Sequence, residues 1–179
     1  SIECQCVDTI YLYRVMTVVR YCTFKNHTDY AYSSGSQGEN QLIGSLFINC
    51  AKGLVITDDL VVYDCTFVGD PNTPTGIGID FSYSGHSVIS GCRFCYLATG
   101  VSIDAIDTRV KFLYCYFGNN TEDLGGTGLA QYDAIKIDGV DTLTLNGDDV
   151  NQGFVNPAIG DYNLAEGATY RSVPLSMEA

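Results

Sequence analysis

Residues 47–56 read Phe47-Ile48-Asn49-Cys50-Ala51-Lys52-Gly53-Leu54-Val55-Ile56, and residues 94–103 read Phe94-Cys95-Tyr96-Leu97-Ala98-Thr99-Gly100-Val101-Ser102-Ile103. The two align without a gap: Phe, two residues, an apolar residue, Ala, one residue, Gly, an apolar residue, one residue, Ile. Working outward, each Phe closes a motif x-Cys-x-Phe. It occurs as Tyr21-Cys22-Thr23-Phe24, Asp64-Cys65-Thr66-Phe67, Gly91-Cys92-Arg93-Phe94 and Tyr114-Cys115-Tyr116-Phe117. A fifth copy, Gly44-Ser45-Leu46-Phe47, has Ser in place of Cys. The five Phe are separated by 23, 20, 27 and 23 residues.

Two further motifs keep step with the first. One precedes it: Leu60-Val61-Val62-Tyr63, Ser87-Val88-Ile89-Ser90 and Val110-Lys111-Phe112-Leu113. The other follows it: Gly53-Leu54-Val55-Ile56-Thr57, Gly76-Ile77-Gly78-Ile79-Asp80, Gly100-Val101-Ser102-Ile103-Asp104 and Asp133-Ala134-Ile135-Lys136-Ile137-Asp138. The run from Leu143 to Val150 reads as one more x-Cys-x-Phe copy, with Asp148 at the Cys place and Val150 at the Phe place.

Each unit alternates apolar and polar residues, so each strand turns one face inward. A single unit holds too few apolar residues to fold alone, and stacking the units buries a continuous core. The expected fold is all-β: a right-handed, single-stranded parallel β-helix (a solenoid) of about five to six coils with a ~23-residue repeat. The coils are expected over residues 1–150, with 18–150 carrying the repeat and 1–17 a further coil. Residues 151–179 lose the motif and are expected to form an irregular segment or a link to a further module. The Cys and Phe positions should form ladders inside the cylinder, ~4.8 Å per rung.

Composition bounds the rest. The chain has 179 residues, 46% of them apolar, which is too many for a disordered chain. Nine Lys and Arg against 21 Asp and Glu leave a net charge of −12. That excess argues against nucleic acid, which needs a basic face, and against an anionic membrane surface. There is no apolar stretch of transmembrane length and no signal-peptide pattern. The opening at Ser1 and the stop at Ala179 are expected to mark a processed or partial chain. The eight Cys read as small buried thiols, with disulfides between stacked Cys the alternative. Cys92-Arg93-Phe94-Cys95 has no second such pair and the chain has two His, so no metal site is expected from the Cys.

The repeat resembles the pectate-lyase-like β-helix superfamily, and is most similar to bacteriophage tailspike and tail-fibre modules. The superfamily also holds pectate lyases, polygalacturonases and alginate epimerases. The resemblance implies either a virion structural and receptor-binding module or a secreted polysaccharide-degrading hydrolase or lyase. Enzyme signatures are broken here. Asp58-Asp59 stands isolated, Gly85-His86 is followed by Ser87, there is no Arg-Ile-Lys, and Arg109 alone could serve as a lyase base. The expected setting is a virion or the extracellular space. The expected partner is a surface polysaccharide, without nucleic acid or membrane insertion, and a homotrimer or larger assembly is expected.

Three polar stretches, Asn26–Gln41, Gly69–Thr75 and Gly118–Tyr132, read as loops leaving one corner of successive coils, a shared binding edge. Tyr30, Tyr32 and Tyr132 are candidates to stack on sugar, with Asp107 and Arg109 beside them. Asp80, Asp104 and Asp138 each follow the last Ile of the motif that comes after x-Cys-x-Phe and are expected to form an acidic ladder. Carboxylates so stacked suit general acid catalysis, as in glycosidases. They also suit Ca²⁺, the one cofactor the pattern admits, or simple turn capping.

Overall fold

The computed structural model describes residues 18–34, 40–82, 86–104, 109–128, 136–137, 143–148 and 150–168. They form a parallel β-solenoid with a repeat of ~23 residues and about four turns, Phe24 to Phe117. Three parallel sheets of six, six and five strands line its sides. Sheet A holds Val18–Arg20, Asn40–Ile43, Leu60–Tyr63, His86–Ser90, Arg109–Leu113 and Lys136–Ile137. Sheet B holds Thr23–Lys25, Leu46–Ile48, Thr66–Val68, Arg93–Cys95, Cys115–Gly118 and Leu143–Gly147. Sheet C holds Tyr30–Ser34, Lys52–Ile56, Ile77–Phe81, Thr99–Ile103 and Glu122–Gly125.

The Phe of every x-Cys-x-Phe motif falls in register. Phe24, Phe47, Phe67, Phe94 and Phe117 stack with centroids 4.7, 4.6, 5.0 and 4.6 Å apart and planes within 13°. Around them Leu42, Val62, Ile89 and Phe112 of sheet A and Leu54, Ile79 and Val101 of sheet C complete one core. The Cys position forms a second ladder beside sheet B. Cys22, Cys65, Cys92 and Cys115 are free thiols, not disulfides. Each donates to the carbonyl two residues back, and Ser45 does the same with its hydroxyl.

The A-to-B corner is a single residue in the left-handed region: Tyr21, Gly44, Asp64, Gly91 and Tyr114, with φ from 51° to 65°. A non-glycine residue there costs roughly 1–2 kcal/mol. The corner repays this by continuing the inter-turn ladder, since four of its N–H groups donate to the next turn: Tyr21 to Ile43, Gly44 to Tyr63, Asp64 to Ser90, Gly91 to Leu113. The B-to-C corner repeats the device two residues past the Phe, at Asn26, Asn49, Tyr96 and Asn119. Asn tolerates this conformation better than most side chains.

Two expectations fail on register. Lys136–Ile137 pairs with Lys111 and Phe112 in sheet A, so it copies the motif that precedes x-Cys-x-Phe and not the Gly-apolar-x-Ile strand. Leu143 stands level with Cys115, so Leu143, and not Asp148, takes the Cys place. The supposed loops are also revised. Asn26–Gln41 contains the sheet C strand Tyr30–Ser34, and Gly118–Tyr132 contains Glu122–Gly125. Among the described residues, only Gly69–Thr75 is an insertion at the B-to-C corner, folded on Asp70, whose carboxylate accepts from the Asn72 N–H at 2.8 Å.

Residues 150–168 lie across the outer face of sheet B. A turn at Val150–Gly153 leads into an antiparallel pair, Phe154–Asn156 with Asp161–Leu164. Phe154, Tyr162 and Leu164 pack on Ile48, Val68, Cys95 and Tyr116. Arg93 is buried under this segment, its guanidinium 4.0 Å from the Tyr116 ring centroid and donating to the Gln152 carbonyl.

The ring stack predicts where the solenoid is most sensitive. Phe67→Ala empties a rung between two stacked neighbours and should cost about 3–5 kcal/mol. Thr66→Ala, on the outer side of the same strand, should cost under about 1 kcal/mol. Urea unfolding of the two variants checks the contrast.

Candidate functional site

The acidic positions expected to catalyse sit on or beside sheet C. Asp80 stands on the outward side of Ile77–Phe81, level with Val55 and Ser102. It is therefore not level with Asp104, which lies two residues further on and donates its N–H to the Phe81 carbonyl. Among the described residues no two carboxylates of sheet C share a register position, so the expected ladder does not form. Asp138 lies outside the described residues. The strand before it belongs to sheet A, on another side of the solenoid from Asp80.

Asp80, Asp104 and Asp58 each have structural partners. Asp80 is buried, with the Lys52 ammonium 2.6 Å from Oδ2 and the Ser82 hydroxyl donating to Oδ1 at 2.6 Å. Asp104 accepts from the Thr127 N–H and hydroxyl at Oδ1, at 2.8 and 3.2 Å, and from Ser102 at Oδ2. The Thr127 backbone bond is the largest cause holding the Asp104 carboxyl below the usual aspartate range, which disfavours a proton-donating role. Asp58 accepts from the Asp59 N–H at 2.8 Å, a turn-capping contact at the short C-to-A corner. Among the described residues no group of three His, Cys, Asp or Glu is placed to hold a metal ion.

The expected glycan-stacking residues are scattered. Tyr32 is buried in the core with its ring 6.4 Å from that of Phe24, because its position on Tyr30–Ser34 faces inward. It is not available to a sugar. Tyr30 is half-buried on the same strand, level with Lys52. Arg109 opens a sheet A strand level with His86. Asp107 and Tyr132 lie outside the described residues.

Three residues not singled out from the sequence matter here. Lys52 is the basic partner of Asp80, and its signal was its place as a lone cation among the sheet C strands. Tyr21 and Tyr114 are the most exposed described aromatics, at 75% and 55%. Their signal was the x before Cys, which runs Tyr, Gly, Asp, Gly, Tyr along one corner. The Tyr21 ring lies across Gly44, where an added Cβ would stand 2.7 Å from its carbons, so a side chain there would displace the ring.

The Lys52–Asp80 contact sets a pH dependence. The hydrogen bond that Lys52 donates to Asp80 raises the Lys52 pKa, so its stabilisation is complete below the ordinary lysine value and is lost as pH rises through the raised folded value. Lys52→Met should cost about 1–2 kcal/mol at neutral pH, discounted because the ammonium is partly in water. The gap to wild type should close at strongly alkaline pH. For Asp104→Asn the gap should persist above the ordinary aspartate value and close as pH falls through the lowered folded one. Denaturant midpoints across pH test both.

No helix of the described residues is long and apolar enough to cross a membrane. Comparison of the chain with protein-family models, with curated proteins and with solved structures gives no match, so the parallel β-solenoid is established from its own strands alone.

Proposed function

We propose that the chain is a structural and receptor-binding module of a virion fibre, a right-handed β-helix of the pectate-lyase-like kind and closest to tailspike and tail-fibre proteins. It works outside the cell, as a homotrimer or within a larger assembly, and engages host surface polysaccharide. Right-handedness follows the strong general preference of parallel crossover connections. The reading is carried by the state of the carboxylates. A degrading enzyme needs a pair of acids free to exchange protons, and Asp80 and Asp104 are instead engaged in holding neighbouring turns together. Aromatic rings remain on the outside, at Tyr21 and Tyr114, to meet a sugar face.

The test pairs binding with turnover. Bacterial surface polysaccharides are incubated with the wild type and with Asp104→Asn. Bound polymer is measured by affinity electrophoresis, and reducing-end and unsaturated products are measured in the same tubes. Binding without product, by a particle of three-chain mass, is the expected result. Product release that vanishes in Asp104→Asn would replace the reading with that of a secreted hydrolase or lyase. A monomer that binds none of the polymers would end it.

A further inference from the structure

The segment over sheet B is attached through a strained joint. Val150–Gly153 carries the chain from the last sheet B strand, Leu143–Gly147, back onto the outer face of that sheet. Three consecutive residues of the joint are left-handed: Asn151 (φ 49°), Gln152 (φ 56°) and Gly153 (φ 76°). Elsewhere among the described residues this conformation occurs one residue at a time. Side chains other than glycine enter it at a cost, and then singly, so a run of three is an unfavourable way to turn a chain.

What the joint delivers is a specific contact. The Gln152 amide lies over Gly118, in the space that a side chain there would fill. Its amide oxygen accepts from the Tyr116 hydroxyl at 3.1 Å, and its carbonyl accepts from the Arg93 guanidinium. That guanidinium is 4.0 Å from the Tyr116 ring centroid and 5.8 Å from that of Phe154. Phe154 is buried against Ile48, Val68 and Cys95. The far side of the segment stays in water, with Val155 and Ile159 among the exposed aliphatic residues. The face of sheet B thus fits one sequence, that of residues 150–168, and every copy of the chain carries it.

We infer that the outer face of sheet B is an exchange site between copies of this chain: residues 150–168 of one copy dock on sheet B of a neighbouring copy in place of that copy's own segment. The inference rests on the assembly part of the reading above, adds the surface that joins the copies, and is independent of any ligand. Exchange repeats in trans the contacts of Gln152 and Phe154 that the closed chain makes with itself, so those contacts favour neither form. The joint separates the two. To double back, the closed chain holds Asn151, Gln152 and Gly153 left-handed in succession. In the exchanged form the chain runs on to the next molecule, and Asn151, whose side chain is exposed, relaxes to extended backbone while Gln152 keeps its seat. A short hinge under strain favours exchange in this way. Exchange also sets two solenoids side by side, and Val155 and Ile159 supply aliphatic surface to that new contact.

The experiment is a complementation on the intact chain. Phe154→Ala spoils the segment and leaves its seat on sheet B, whereas Val68→Glu spoils the seat and leaves the segment. Analytical ultracentrifugation gives the mass of the wild type, of each variant and of their mixture, once circular dichroism has established that both variants are folded. The wild type should contain two or more chains. Each variant alone should associate at least about tenfold more weakly, the loss of one well-packed contact. The mixture should recover pairs, because the segment of Val68→Glu fits the seat of Phe154→Ala. The joint is tested separately. Asn151→Gly, at ease in the left-handed region, should weaken association about fivefold. Asn151→Pro, whose φ is fixed near −65°, should strengthen it about tenfold. Wild-type mass in both Phe154→Ala and Val68→Glu overturns the exchange and leaves the assembly reading standing. So does a mixture that forms no pairs, or an Asn151→Pro chain that associates no better than Asn151→Gly. A monomeric wild type overturns the exchange and the homotrimer together.

Discussion

Everything in this solenoid depends on one spacing. Parallel strands joined by hydrogen bonds lie ~4.8 Å apart, so every side chain on a turn meets its equivalent on the next at that distance. Phenylalanine suits this constraint, because near-parallel rings with centroids 4.6–5.0 Å apart fill the gap between rungs. Offset stacking adds about 0.5–1.5 kcal/mol per pair beyond burial. The left-handed corner residues serve the same end. They turn the chain in one step, so that the ladder crosses the corner without a gap.

The parts of the fold that repeat by identity were legible in the sequence. Phe and Cys return at one place in each turn, and no slip preserves both. The match of residues 47–56 with 94–103 survives as register, since Phe47 and Phe94 both stand level with Phe67, and Leu54 and Val101 with Ile79. Sheet C was harder. Gly76-Ile77-Gly78-Ile79-Asp80-Phe81 offers the Gly-apolar frame twice, and a slip of two keeps every side chain on its face. The hydrophobic pattern cannot see that slip, and it placed Asp80 level with Asp104. Tyr30–Ser34 and Glu122–Gly125 read as loops because polar residues dominate them, Ser34 even being buried. Asn26, Asn49 and Asn119, each two residues past a Phe, were an unread signal for the second corner.

Charge follows architecture more closely than it follows chemistry. Two of the three carboxylates singled out by spacing are cross-turn ties, from Lys52 to Asp80 and from Thr127 to Asp104. A buried acid must be answered by a partner, and Asp80 is answered by Lys52 of the neighbouring turn.

The segment over sheet B has a mechanical consequence. Inter-turn hydrogen bonds run along the solenoid axis, so a pull along that axis loads the junctions between turns in series, and the weakest junction yields first. Residues 150–168 bridge several of these junctions at once. Phe154 and its neighbours grip Ile48, Val68, Cys95 and Tyr116, which belong to successive turns, and Gln152 holds both Arg93 and Tyr116. The segment is a splint laid along the column. It shares an axial load across four rungs, and it makes this side of the molecule the stiff one, about which the rest must bend.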